Sequence, residues 1–185
     1  MNTTIIPGSL GALAKQEGKS IAESFVNADL VVIVDTSGSM SEDSRSGKCR
    51  YDVACEELAY LQASHPGKIA VLAFSHEVQF CPSGVPNYLG GGTDMAQALQ
   101  FAKVADVPGM QFILISDGQP DDEAATLAIA TTYQNKISTI YVGPEEHPAG
   151  RDFLQRLAAA TGGQTITVDR AKELKSGIEK LYLPR

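Results

Sequence analysis

The most constraining feature of the sequence is an unbroken apolar run, Leu30 to Val34, that leads directly into Asp-Thr-Ser-Gly-Ser at positions 35–39. The run is rich in β-branched residues, which is typical of a strand buried on both faces of a parallel sheet. Such a strand delivers the carboxylate of Asp35 and the hydroxyls of Ser37 and Ser39 into one tight turn. These hard oxygen ligands suit a small divalent cation such as Mg2+. Ligands of open α/β sheets bind outside the carboxyl ends of strands, so this turn is a candidate metal site.

Two later segments strengthen this interpretation. A second apolar run, Phe112 to Ser116, again ends in an aspartate, Asp117. Thr93 follows three glycines at 90–92 and comes just before a helical pattern. The glycines favour a close approach of their loop to the sheet end, because they add no side-chain bulk there. We therefore expect Asp117 and Thr93 to reach the same point as the first turn.

In combination, these segments resemble the metal-ion-dependent adhesion site of the von Willebrand factor A family, written D-x-S-x-S, then a distant Thr, then a distant Asp. The matching residues are Asp35, Ser37, Ser39, Thr93 and Asp117. The strand pattern at 68–75 and the turn pattern at 157–163 also look like this family, and the resemblance covers roughly residues 29–183. It implies that the hydroxyls mostly bind the metal directly, while some carboxylates act through water. An open metal position then accepts an Asp or Glu side chain of a partner protein.

From Asp29 onward, predicted strands and helices alternate. Strands are predicted at 30–35, 68–75, 77–80, 111–116, 137–142 and 165–168, and helices at 50–64, 94–105, 121–134, 150–161 and 170–182. This alternation predicts an α/β fold with a mostly parallel sheet and helices on both faces. The strand at 77–80 follows a tight turn, so it should be antiparallel and lie at an edge. The resemblance implies a Rossmann-like, doubly wound sheet of six strands in the order 3-2-1-4-5-6.

Residues 1–28 are predicted to form a helical N-terminal extension to a von Willebrand factor A domain at 29–185. Short helices are expected at 9–16 and 20–27, the second opened by a capping box between Ser20 and Glu23. Two interpretations of this extension remain open. Its apolar residues either pack on the domain or form a docking segment for a partner.

Composition narrows the classes of function. The net charge is −7 and the 15 basic residues are scattered, which argues against nucleic acid as a partner. The cysteines, Cys49, Cys55 and Cys81, lack zinc-ligand spacing and are expected to be reduced thiols of a cytoplasmic protein. The first nine residues do not read as a signal peptide, and no apolar run approaches the ~20 residues that cross a membrane. We expect a monomer when the protein is isolated, with no membrane partner.

The leading hypothesis is a metal-dependent protein-binding module rather than an enzyme. Its cofactor would be Mg2+, with Mn2+ or Ca2+ as alternatives, and its partner a protein that presents an acidic side chain. The unpaired cysteines and the missing signal peptide favour the intracellular members of the family, which often act as adaptors of AAA+ ATPases. One alternative is a structural component of a larger assembly, in which the metal serves folding. The other is a Mg2+-dependent phosphoryl hydrolase, although Ser37 stands where such an enzyme needs a second acidic residue.

Overall fold

The computed structural model describes residues 5–42, 47–143, 148–167 and 174–182. The strands are β1 Leu30–Asp35, β2 Ile69–Phe74, β3 Val78–Phe80, β4 Gln111–Ser116, β5 Ile137–Tyr141 and β6 Thr165–Thr167. The helices are α1 Leu10–Glu17, α2 Ile21–Phe25, α3 Arg50–Ser64, α4 Met95–Ala102, α5 Glu123–Ala130, α6 Pro148–Thr161 and α7 Leu174–Leu181. Residue 168 of the last predicted strand and residues 170–173 of the last predicted helix lie outside the described residues.

The strands form one sheet in the order β3-β2-β1-β4-β5-β6. All neighbouring pairs are parallel except β2 and β3, which pair antiparallel at the edge. The predicted fold class, a Rossmann-like doubly wound sheet in the order 3-2-1-4-5-6, is confirmed. The two central strands are β1 and β4, with Val34 opposite Ile115. This register brings their carboxyl ends side by side.

Two apolar layers cover the sheet because successive side chains of a buried strand point to opposite faces. Val31 and Ile33 of β1 pack in the layer that contains α4 and α6. Val32 and Val34 pack in the other layer, which contains residues of α3 and α7. Every residue of β1 and β2 is buried, which explains why their sequences read as continuous apolar runs.

Several helices are shorter than predicted. The helix predicted at 121–134 covers only Glu123–Ala130. It begins at Glu123 because the side chain of Asp122 caps its N-terminus by accepting a hydrogen bond from the Ala125 amide at 2.9 Å. The helix predicted at 94–105 ends at Ala102 and continues as a 3-10 turn, Lys103–Ala105. Within the described residues, no helix is both long and apolar enough to span a membrane.

The N-terminal helices pack on the sheet domain. Leu10 and Ala14 of α1 are buried, and the Gly11 amide donates to the Pro82 carbonyl at 2.7 Å. Phe25 of α2 lies edge-on against Phe80 of β3 with ring centroids 5.9 Å apart. The first interpretation of this segment, packing on the domain, therefore agrees with these contacts. The domain division at residue 28 stays a prediction.

The predicted capping box at the start of α2 is confirmed. The Ser20 hydroxyl accepts a hydrogen bond from the Glu23 amide at 3.2 Å. The Glu23 carboxylate in turn accepts one from the Ser20 amide at 2.7 Å. This exchange satisfies two backbone donors at the helix start that would otherwise lack intrahelical partners.

Candidate metal centre

The candidate site lies where β1 and β4 end. The chain leaves β1 for α3, which covers one face of the sheet, and leaves β4 for α5, which reaches the other face through Ala130. The two connections therefore diverge between these two strands, at their carboxyl ends. Such a topological switch point is where open α/β sheets bind ligands.

Asp35 is the last residue of β1 and is fully buried. One of its carboxylate oxygens, Oδ1, accepts a hydrogen bond from the Ser37 amide at 2.8 Å. The other, Oδ2, accepts one from the Ser116 hydroxyl at 2.6 Å. The turn that follows is tied to β2 by Thr36, whose amide and hydroxyl both donate to the Phe74 carbonyl, at 2.8 and 3.0 Å. Asp35 is therefore held in one orientation by the turn that follows β1 and by the last residue of β4.

Burial raises the pKa of Asp35 to about 6, because the charged carboxylate loses contact with water. The hydrogen bonds from Ser116 and Ser37 act in the opposite direction, and the nearby carboxylate of Asp117 raises the pKa further. A buried carboxylate with a raised pKa gains from a cation placed beside it. The surroundings of Asp35 therefore fit a metal ligand.

A chain of side-chain hydrogen bonds joins the turn to β4. The hydroxyls of Ser37 and Ser39 lie 3.2 Å apart, within hydrogen-bonding distance. The Ser39 hydroxyl also donates to Oδ1 of Asp117 at 2.8 Å. Asp117 follows β4 directly and its side chain is fully buried, whereas Ser39 is half-buried. The donor set thus consists of hard oxygens, with Ser39 on its more exposed side.

Thr93 lies on a neighbouring loop. Residues 90–92 approach the turn, since the Gly90 amide donates to the Thr36 carbonyl at 2.9 Å and the Gly38 amide donates to the Gly91 carbonyl at 3.1 Å. Among the described residues, no hydrogen bond joins the Thr93 hydroxyl to the other four candidate ligands. The helix cap that a threonine at this position would commonly provide comes instead from Asp94, which accepts from the Gln97 amide at 2.9 Å. The Thr93 hydroxyl is thus not used as the cap of α4.

Three residues around the site are not among the predicted ligands. Ser116 holds Asp35, and Asp121 accepts hydrogen bonds from the Thr93 amide at 3.1 and 3.2 Å. Arg50 places Nη1 2.6 Å from Oδ2 of Asp117. Ser116 could have been noticed as a hydroxyl beside the strand-end aspartate. Arg50 had no sequence signal, because 67 residues separate it from Asp117.

The arrangement fits a small hard cation and no softer metal. Four of the five predicted ligands, Asp35, Ser37, Ser39 and Asp117, form one hydrogen-bonded cluster of oxygen donors. Across the part of the chain that the structure describes, no three His, Cys, Asp or Glu side chains come together as a metal-binding group. Any metal at this site would therefore depend on the serine and threonine oxygens as much as on the carboxylates.

The three cysteines are not part of this oxygen cluster. Cys49, Cys55 and Cys81 are free thiols. Burial raises the pKa of each, that of Cys55 to about 11. Because the thiolate is the reactive form, a raised pKa makes these cysteines poor nucleophiles.

The sequence matches no protein-family model and no curated protein. Solved structures nevertheless share its fold. A von Willebrand factor type A protein from Catenulispora acidiphila aligns with a TM-score of 0.61 at 18% identity, over 83% of this chain and 42% of that chain. An aerotolerance-related membrane protein from Bacteroides fragilis, carrying multiple mutations to serine, aligns with a TM-score of 0.62 at 14% identity. The alignment covers 83% of this chain and 98% of that chain. Proximal thread matrix protein 1 from the mussel byssus aligns with a TM-score of 0.59 at 16% identity, over 83% of this chain and 44% of that chain.

Identities this low establish the fold alone. The chain is a doubly wound α/β domain with a fold of the von Willebrand factor A type.

Proposed function

We propose that this protein is a metal-dependent protein-binding module. Its Mg2+ ligands would be Asp35, Ser37, Ser39, Thr93 and Asp117. The observation that carries the proposal is the hydrogen-bonded cluster of Asp35, Ser37, Ser39 and Asp117 at the topological switch point. The Thr93 loop is hydrogen bonded to the turn of this cluster. Mn2+ and Ca2+ are the alternative cations, because they also prefer oxygen ligands.

The residues divide into those that hold the site and those that face a partner. Asp35 and Asp117 are buried, and they would balance the charge of a divalent cation from below. Ser39 and Thr93 are half-buried and form the approach from the surface. A bound Mg2+ would supply one open coordination position for an Asp or Glu carboxylate. The partner is therefore a protein that presents an acidic side chain.

In this proposal, the site binds a partner protein and does not catalyse a reaction. The cluster offers two carboxylates and several hydroxyls, and the second acidic residue expected of a phosphoryl hydrolase is Ser37 here. A cytoplasmic adaptor of an AAA+ ATPase complex is the setting that the family resemblance implies. That setting, like the monomeric state of the isolated protein, stays a prediction.

Calorimetric titration with Mg2+ tests the metal site. We expect measurable binding to the wild type and none to Asp35→Ala, which removes the carboxylate at the centre of the cluster. Ser41→Ala is the matched control, because Ser41 is exposed on the same turn and its hydroxyl donates to the Gly38 carbonyl rather than to either aspartate. Equal Mg2+ affinity of the wild type and Asp35→Ala would contradict the assignment.

A second measurement tests the partner. Binding of an acidic partner should disappear in EDTA, in the Asp35→Ala variant and on neutralisation of the partner's acidic residues. A partner that stays bound after all three changes would place the interface elsewhere, for example on residues 1–28.

A further inference from the structure

Arg50 is the one basic side chain that reaches the candidate metal centre within the described residues. It opens α3, and its Nη1 contacts Oδ2 of Asp117 at 2.6 Å and the Ser39 carbonyl at 3.0 Å. The same atom lies 3.3 Å from Oε2 of Glu42. The Arg50 side chain is only 12% exposed, and that of Asp117 is fully buried. The contact is therefore a largely buried ion pair within the site rather than an ion pair on the surface.

The charges of the site depend on this contact. The carboxylate oxygens of Asp35 and Asp117 accept hydrogen bonds from four groups: the Ser37 amide, the Ser116 hydroxyl, the Ser39 hydroxyl and Arg50. Three of these donors are neutral. Only the guanidinium brings positive charge, so it neutralises one of the two buried negative charges. A divalent cation that uses Asp117 meets this positive charge as a competitor.

We propose that Arg50 is an internal competitor that lowers the affinity of the site for its divalent metal. The inference deepens the proposed function and rests on it. Asp117 keeps a positively charged partner whether or not a metal is present, and this avoids the cost of an unpaired buried carboxylate. Metal binding then exchanges or weakens one electrostatic contact instead of adding a new one. Because Arg50 also contacts the Ser39 carbonyl, this exchange links α3 to the turn that carries the serine ligands.

A role of Arg50 in aligning Asp117 as a ligand predicts the opposite change in metal affinity. If Arg50 only aligned Asp117 as a ligand, its removal would disorder the site and weaken metal binding. If it competes with the metal, removal of its charge strengthens metal binding although the protein loses a buried ion pair. The sign of the change in affinity separates the two roles.

The experiment compares Arg50→Met, which keeps the length but loses the charge, with Arg50→Lys, which keeps the charge. Mg2+ affinity is measured by calorimetry at one ionic strength, and unfolding temperature is measured in EDTA and in Mg2+. We expect Arg50→Met to bind Mg2+ about tenfold more tightly, and Arg50→Lys to stay within about threefold of the wild type. In EDTA, Arg50→Met should unfold at a lower temperature, and Mg2+ should raise that temperature more than in the wild type. The neutral Arg50→Gln, which keeps a donor for Asp117, provides the same comparison if Arg50→Met does not fold.

The outcomes separate this inference from the proposed function. Wild-type binding that depends on Asp35, with no tighter binding by the neutral Arg50 variants, overturns the inference and leaves the metal site intact. Binding by Arg50→Met but not by the wild type supports the inference strongly. If neither the wild type nor the neutral variants bind Mg2+, both proposals are wrong.

Discussion

At the scale of the residue, Ser116 shows how one hydroxyl can orient a buried carboxylate. It is the last residue of β4, is fully buried, and donates to Oδ2 of Asp35 at 2.6 Å. Its hydroxyl also accepts a hydrogen bond from the Gly118 amide at 3.1 Å, so its orientation is set by the turn that carries Asp117. Ser116 therefore connects the two aspartates without being a proposed ligand itself. Partners of this kind orient metal ligands and raise their effectiveness.

We expect Ser116→Ala to weaken Mg2+ binding by about 10- to 100-fold, because Asp35 would lose the donor that orients it. Calorimetric titration measures the affinity, and far-UV circular dichroism checks that the fold is kept. The exposed Ser41→Ala serves as the control and should bind as the wild type does. Unchanged affinity of Ser116→Ala would show that the Ser37 amide is sufficient to orient Asp35.

At the scale of the element, the loop at 90–92 reaches the turn at 35–39, which carries three candidate ligands, through its glycines. Gly90 and Gly91 have φ angles of 68° and 80°, in the left-handed region that side chains other than glycine rarely adopt. A Cβ atom on Gly91 would lie 2.6 Å from Nδ1 of His76. The backbone thus passes closer to its neighbours than any other residue type would allow. This approach brings Thr93 to the rim of the site.

Gly91→Ala should destabilise the protein by about 1–2 kcal/mol, because alanine is strained at a positive φ and its Cβ meets His76. Urea denaturation measures the free energy of unfolding. Gly118→Ala is the matched control, since a Cβ atom at Gly118 would meet nothing within 4 Å and its φ is not positive. A loss of stability of equal size in both variants would argue against the strain at Gly91.

At the scale of the whole molecule, a second carboxylate network ties distant elements together. Asp106 follows the 3-10 turn after α4 and accepts hydrogen bonds from Lys103 at 2.8 Å, the Gln134 amide at 2.8 Å and the Asn135 side chain at 2.8 Å. Burial acts to raise the pKa of Asp106, but these hydrogen bonds outweigh it and hold the pKa below the ordinary value of 3.8. The network joins the end of α4 to the segment that enters β5. It therefore contributes to the stability of the domain away from the candidate metal site.

The stability that Asp106 contributes should depend on pH. Because its pKa is lower in the folded than in the unfolded protein, the contribution is complete above the ordinary value of 3.8 and is lost as the pH falls through the lower folded value. We expect Asp106→Asn to be less stable than the wild type by about 1–3 kcal/mol at neutral pH, with the difference shrinking below about pH 4. Urea denaturation at a series of pH values measures both effects. A difference that stays constant down to pH 2 would contradict the assigned role.

The sequence by itself determined the architecture and most of the candidate ligand set. Buried strands of a parallel sheet need apolar side chains on both faces, so β1, β2 and β4 are visible as continuous apolar runs. The strand-end positions of Asp35 and Asp117 follow from where those runs stop. The resemblance to the von Willebrand factor A pattern then implied the strand order, which the structure confirms. Helix ends were less predictable, because capping by Asp94 and Asp122 depends on the local path of the backbone.

Only the tertiary structure determined which side chains of the site contact one another. Whether Ser116 reaches Asp35 depends on the register between β1 and β4, since a shift of one residue would point its side chain to the other face. Whether Arg50 reaches Asp117 depends on how α3 packs against the turn that follows β1. The Thr93 hydroxyl makes no hydrogen bond to the cluster among the described residues, although the sequence pattern groups it with the others. Hydrogen bonds and ion pairs require atoms within about 3 Å, and a linear pattern of residue types carries no distances between segments that meet only on folding.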